Sequence, residues 1–134
     1  MFKPQSGVVI RYAYLWAREY ARGEESGRKT RPVCVQISFS GASRDQTALL
    51  FPVTSQIPAA GVKALQIPET EARRVRLRTP AWIIVEEWNE DNLATSDSID
   101  DPEPLGAFSK AFVGKIREAV VAAIQSRNYR AVRR

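Results

Sequence analysis

The chain has 134 residues, 44% hydrophobic, 26% charged and 9% aromatic, which excludes disorder throughout and sets a single domain, residues 1–134, as the expectation. One cysteine, Cys34, excludes an internal disulfide, and the absence of histidine leaves zinc or haem almost no ligands, so neither metal nor cofactor is expected. The net charge is +5, no apolar run is long enough to span a bilayer, and the opening MFKPQSGVVI lacks the pattern of a signal peptide, so the expectation is a cytoplasmic protein with no membrane partner.

Val8 to Trp16, β-branched and aromatic after Gly7, predicts a first strand. Residues 17–30, AREYARGEESGRKT, are too polar for a core and predict a long loop that opens with a helical turn. From Pro32 onward, Val33, Val35, Ile37 and Phe39 alternate with Cys34, Gln36 and Ser38, the period of a strand with one buried face. Cys34 reads as a small core residue, and SGASRDQT as a turn. Thr47 to Thr54, TALLFPVT, predicts a third strand whose Pro52 has no N–H for a ladder bond, which suggests an edge or a bulge.

Ala64 to Ile67 predicts a short fourth strand, and Pro68, Glu69 and TEARRVRL a single helical turn with proline and acids at its start. Ala81 to Glu87 predicts a fifth strand. Asn89 to Gly106 is acidic, contains Pro102 and Pro104, and predicts an exposed loop. Ser109 is placed to cap a terminal helix in which Phe112, Ile116, Val120 and Ile124 recur every four residues beside Val113 and Val121. Five short strands, irregular connections and one long helix predict a mainly β domain of the α+β class, a small bent antiparallel sheet or barrel.

Charge is unevenly spread. Residues 18–31 carry five basic groups, residues 73–78 four arginines, Glu86 to Glu103 eight acids and no base, and Lys110 to Arg134 seven bases against one acid. A polyanion can bind one face and be repelled from another; alternatively the acidic loop and basic helix pair with each other or are merely solvated. No phosphate-cradling glycine loop, serine elbow or histidine-based triad is present, so any catalysis must use other groups. Trp16, Trp82, Trp88, Tyr12, Tyr14 and Tyr20 are candidates for stacking unpaired bases. Of these, Trp82 reads as core or interface and Trp88 as the exposed one.

Gly7 before the first strand, the charged loop ending in Gly27, Arg31-Pro32 leading into VCVQI, and LLFPVTS ending the third strand together resemble the MazF/PemK family of toxins from bacterial type II toxin–antitoxin systems. The resemblance is best over residues 7–55. It implies a small SH3-like barrel of five to seven strands with helices, usually a homodimer, that cuts single-stranded RNA such as mRNA at short sequences without a metal and is neutralised by a cognate antitoxin. It also implies catalytic roles for Arg31 and Thr54, with Glu25 or Glu87 as the proton acceptor. The surrounding basic and polar residues Arg22, Arg28, Lys29 and Ser55 are then candidates for RNA contacts. Val85 stands where some members carry a catalytic arginine. The alternative is a noncatalytic member of the same barrel that binds nucleic acid or protein, as gyrase-inhibiting toxins do.

Overall fold

The segments with the strongest β-branched alternation form the centre of the sheet. β1 (Val8–Ala13), β2 (Thr30–Ile37) and β3 (Thr47–Thr54) pair antiparallel in that order. The computed structural model describes residues 5–24, 29–37 and 47–134. On the free side of β1 lies β7 (Ile99–Ala107), with register shifts between Val9 and Tyr12. On its other side β3 forks. Residues 47–50 pair with β6 (Glu87–Asn92), whereas Val53 and Thr54 pair with β5 (Trp82–Ile84), which in turn carries β4 (Ala64–Gln66). A last strand, β8 (Arg130–Arg133), adds parallel to β6.

Among the described residues there are thus eight strands, and the path from β4 to β7 does not close. Three helices complete the domain: α1 (Ala17–Ala21), α2 (Glu69–Arg74) and α3 (Lys110–Gln125). The α+β, mainly β class is as the sequence predicts, with an open forked sheet in place of a closed barrel. Pro52 sits opposite Val33 within the sheet, between the residues that pair with β6 and those that pair with β5. Its missing N–H therefore falls where the partner changes, and β3 is not an edge.

Alternation along β1, β2 and β3 fills two cores. Val9, Cys34 and Phe51 face one side with Ile83, Val85, Trp88 and the inner face of α3. Ile10, Tyr12, Val33, Val35 and Leu50 face the other with Leu93 and Ile99. The expectation of one buried face for β2 is therefore corrected: Val33 and Cys34 point opposite ways and both are sealed from solvent. Cys34 is the small core residue expected, and burial pushes its thiol up to about 12.

Ser109 caps α3, its Oγ accepting the Phe112 N–H at 3.2 Å. Ser109 is itself held by Glu71 of α2, whose carboxylate accepts the Ser109 N–H at 2.9 Å and hydroxyl at 2.7 Å. Phe112, Ile116 and Val120 are buried as predicted, and each such apolar side chain contributes about 1.5–3 kcal/mol. Ile124 and Val121 are exposed, and Ala123 takes the last inward place. Steps of four residues rotate about 40° each on a helix of 3.6 residues per turn, so a run of three such steps leaves the face that an eleven-residue step keeps. The stripe is covered by the chain's own sheet.

The acidic stretch after the fifth strand departs most from expectation. It is no loop: Glu87–Asn92 and Ile99–Ala107 are β6 and β7, joined by a turn. The acids do not obstruct pairing because they face outward, as Asp100, Asp101 and Glu103 do, or accept hydrogen bonds, as Asp91 does from Tyr12 Oη at 2.6 Å and Ser96 Oγ at 2.7 Å. The one described ion pair between this stretch and the basic tail is Arg133 with Glu90, at 3.8 Å between two strands. β7 crosses closely over α2. At Gly106 (φ +151°) a Cβ would collide with the Arg74 carbonyl oxygen, so only glycine fits there.

Candidate nucleic-acid interface

The start of β2, the end of β3 and the start of β6 meet at one end of the sheet, with the turn between α3 and β8 and the first residues of α1 beside them. They enclose a groove of roughly 940 Å³. Six cations line it: Arg18, Lys29, Arg31, Arg78, Arg127 and Arg130. They come from three sequence regions, so the separate basic clusters contribute to one surface. Two carboxylates, Glu86 and Glu87, share it. A concave, mostly cationic surface of this size suits a flexible polyanion.

Arg31 is placed by β2, opposite Tyr12 of β1. Its guanidinium lies 4.9 Å from the centre of the Trp16 ring, which Arg18 also approaches at 4.9 Å. Its Nε is shielded from solvent and has no acceptor among the described residues. Burial lowers the guanidinium's pKa from its ordinary value; Glu19 opposes the shift and Arg18 adds to it. Such a cation is short of acceptors, which is the condition an anionic oxygen would relieve.

Thr54 is the last residue of β3. It pairs with Trp82 within the ladder, so the bulge that Pro52 suggested does not displace it. Its Oγ1 accepts the Gln56 N–H at 3.1 Å. That bond orients the hydroxyl and leaves its hydrogen for a second acceptor. Ser55 follows, exposed at the groove edge.

Glu87 opens β6. Its Oε2 accepts both the Tyr14 hydroxyl at 2.9 Å and the Ala17 N–H at 3.0 Å. The carboxylate thus satisfies the first N–H of α1, whose own chain supplies no serine or aspartate cap there. Burial and the adjacent Glu87 hold the Tyr14 phenol well above its usual range. Oε1 of Glu87 has no hydrogen bond among the described residues.

Of the residues expected from the sequence, Arg31, Thr54, Glu87, Lys29 and Ser55 line this single groove. Arg22 does not: it is exposed and pairs with Glu24 at 3.4 Å. Glu25 and Arg28 lie outside the described residues. Val85 is buried in the core, 2% exposed, and contributes nothing polar.

The aromatics sort differently from expectation. Trp88 is not exposed but 2% accessible, packed between Phe51 and Tyr129, because β8 and the turn before it cover the strand end. Tyr12 and Tyr14 are buried, and Trp82 is half-buried. Trp16 alone of the six candidates lines the groove. The residues missed are Arg78, Arg127, Tyr129 and Arg130. The segment Arg127-Asn128-Tyr129-Arg130 did carry a signal, an aromatic between two arginines, but it follows a helix that draws attention to its apolar face.

Among the described residues no three carboxylates or thiols come together as a metal site requires, and no helix is long and apolar enough to cross a membrane. No family model matches the chain, and a search of curated proteins finds no match.

Proposed function

We propose that the protein is an endoribonuclease of the MazF/PemK kind, cutting single-stranded RNA in this groove without a metal. On this reading it acts in the cytoplasm as the toxin of a type II toxin–antitoxin pair, as a homodimer blocked by its antitoxin. The observation that carries it is the meeting of Arg31, Thr54 and the Glu87 carboxylate in one cationic groove. These residues are 56 positions apart at the extremes; the resemblance to the family points to Arg31 and Thr54, with Glu87 one of its two candidate bases.

The chemistry follows from what each group can do. The ribose 2′-oxygen attacks the adjacent phosphorus, the bond from phosphorus to the 5′-oxygen breaks, and the products are a 2′,3′-cyclic phosphate and a 5′-hydroxyl. Glu87 Oε1 accepts the 2′-proton, since Oε2 is engaged with Tyr14 and α1. Arg31 offers a planar, permanently charged donor set to two nonbridging oxygens, where negative charge grows. Thr54 donates its remaining hydrogen to the same phosphoryl group. Protonation of the departing 5′-oxygen falls to water or to a groove cation, of which Arg130, opposite Glu87 in the register of β6 and β8, is the nearest in the ladder.

One observation favours a second reading. Glu87 already has a structural duty as the cap of α1, so a groove that only binds nucleic acid or a partner protein would keep it as well.

The test is incubation of the purified protein with a diverse single-stranded RNA pool in excess chelator, with analysis of product ends. Cleavage giving cyclic phosphate and 5′-hydroxyl ends is expected. Arg31→Lys should keep most low-salt affinity while lowering the rate by about a hundredfold to a thousandfold, the scale of losing one preorganised donor. Thr54→Val should lower it by about tenfold or more. Products with 5′-phosphate ends overturn the mechanism, and tight binding without any cleavage favours the second reading.

A further inference from the structure

Tyr129 is 43% exposed, lines the groove, and lies flat against Trp88 with ring centres 5.0 Å apart and an interplanar angle of 6°. Trp88 is fixed in turn, 2% exposed and packed on Phe51 at 5.5 Å. One face of the tyrosine ring is therefore backed by a rigid indole, and its accessible surface is the opposite face and edge. Among the described residues the other large, strongly exposed apolar side chain in the groove is Ile57, which offers no ring, and Tyr20, the other strongly exposed aromatic, lies outside the groove.

The backbone around Tyr129 is equally specific. α3 ends with the Asn128 N–H bonded to the Ala123 carbonyl at 3.0 Å and the Arg127 N–H bonded to the Ile124 carbonyl at 3.1 Å. This is a Schellman ending with Arg127 in the left-handed position, φ +56°, where glycine is the favoured residue. A side chain is kept there against local preference, and it lines the groove, as does that of Arg130. The result is a cation, a flat aromatic face and a second cation within four residues. That alternation matches a ligand that itself alternates phosphate and planar base. Glu86 and Glu87, in the same groove, suit the amino groups of bases and repel a ligand made of phosphates alone.

We propose that Tyr129 is the stacking platform for one unpaired nucleobase of a bound single strand, backed by Trp88, with Arg127 and Arg130 holding the phosphates that flank that base. The inference rests on the nucleic-acid reading of the groove and names the subsite within it. Stacking on a ring reads a planar face and not a particular edge, so this position tolerates any base. Sequence preference, where present, comes from other positions in the groove.

The experiment measures binding of a fluorescently labelled, mixed-sequence single-stranded RNA by anisotropy, together with thermal melting, for the wild type and four variants. Tyr129→Ala should weaken binding about tenfold to a hundredfold, the usual effect of losing one stacking ring, with the salt dependence unchanged. Tyr129→Phe should recover most of that loss. Arg127→Gly should melt at the wild-type temperature or above, because glycine suits the turn, while the slope of log affinity against log salt falls by about 0.7 to 1. Tyr20→Ala should leave binding unchanged.

A second measurement does not depend on any variant's folding. RNAs carrying 2-aminopurine at each position in turn should show quenching at one or more positions on binding to the wild type. Wild-type affinity in Tyr129→Ala, equal losses in Tyr20→Ala, or no quenching at any position overturns the subsite while leaving the groove's role intact. Failure of the wild-type protein to bind RNA at all overturns both.

Discussion

Arg134 and Arg31 each set a guanidinium over an aromatic ring, Tyr12 at 5.3 Å and Trp16 at 4.9 Å, yet their surroundings are opposite. Arg134 donates to the Ala13 carbonyl at 2.8 Å, Asn89 Oδ1 at 2.9 Å and Ser98 Oγ at 3.0 Å, tying together β1, β6 and the turn before β7. Arg31, paired with that same Tyr12 in the register of β1 and β2, has a shielded Nε with no acceptor among the described residues and a pKa lowered by burial. A saturated arginine is a brace. One left short of acceptors costs the fold free energy, a cost that a bound anionic oxygen would offset. Both arginines sit at the same end of β1, beside Tyr12 and Ala13, and they differ in whether the fold satisfies them.

The largest expected effect strikes the corner that Arg134 braces. Asn89 is fully buried, accepts the Leu15 N–H at 2.9 Å, donates to the Leu15 carbonyl at 2.7 Å and receives Arg134. Asn89→Leu leaves both Leu15 backbone groups without partners and removes one acceptor of Arg134, which should cost about 3–5 kcal/mol. At roughly 3–5 °C per kcal/mol for a domain of this size, the melting temperature falls by 10 °C or more. A melt within a few degrees of wild type breaks the idea that this corner is a brace.

The direct comparison is a matched pair of substitutions. Arg134→Met removes two donor nitrogens that make four hydrogen bonds from a half-buried position and should cost on the order of 2 kcal/mol. Arg31→Met removes a poorly paired charge and should leave the melting temperature unchanged or raise it, and on the proposed function it should abolish RNA cleavage. If Arg31→Met instead destabilises as much as Arg134→Met does, both arginines are braces and the contrast collapses.

The smallest effect is a pH dependence of the buried interior, which belongs to neither arginine. The Cys34 thiol, raised to about 12 by burial, must give up that environment to ionise. Its folded-state value lies above its unfolded one, so its contribution to stability is complete below about pH 8.5 and is lost as pH climbs toward 12. Buried Tyr12 and Tyr14 shift in the same direction, the first through burial and Asp91, the second through burial and Glu87. Denaturant midpoints should hold steady from pH 7 to 8.5 and fall above it, and Cys34→Ala should flatten the first part of that fall. Rapid labelling of Cys34 in the native protein at pH 8 would contradict its burial.

Much of the frame was legible in the sequence because short-range physics sets it. The alternation of Val33 and Val35 requires a strand, TALLFPVT matches β3 residue for residue, and Ser109 before the Phe112–Ile116–Val120 stripe requires a capped helix. β6, β7 and β8 were not legible. They are polar or very short, and each becomes a strand only because a neighbour offers it a ladder: β3 for β6, β1 for β7, and β6 for RAVR. Trp88 was misjudged for the same reason, since its cover arrives from Tyr129, 41 positions later.

The candidate site divides in the same way. That Arg31 and Thr54 are candidates comes from a resemblance over residues 7–55, and periodicity alone says nothing of it. That Glu87 faces them, that Arg22 does not, and that Arg127, Tyr129 and Arg130 complete the wall depended on how far-apart segments pack. A sequence displays which side chains carry charge or a ring, and through periodicity which face of an element is apolar. Whether a cation ends saturated like Arg134 or short of acceptors like Arg31 depends on which carbonyls and carboxylates the fold brings within about 3 Å of it, and only tertiary packing determines that distance.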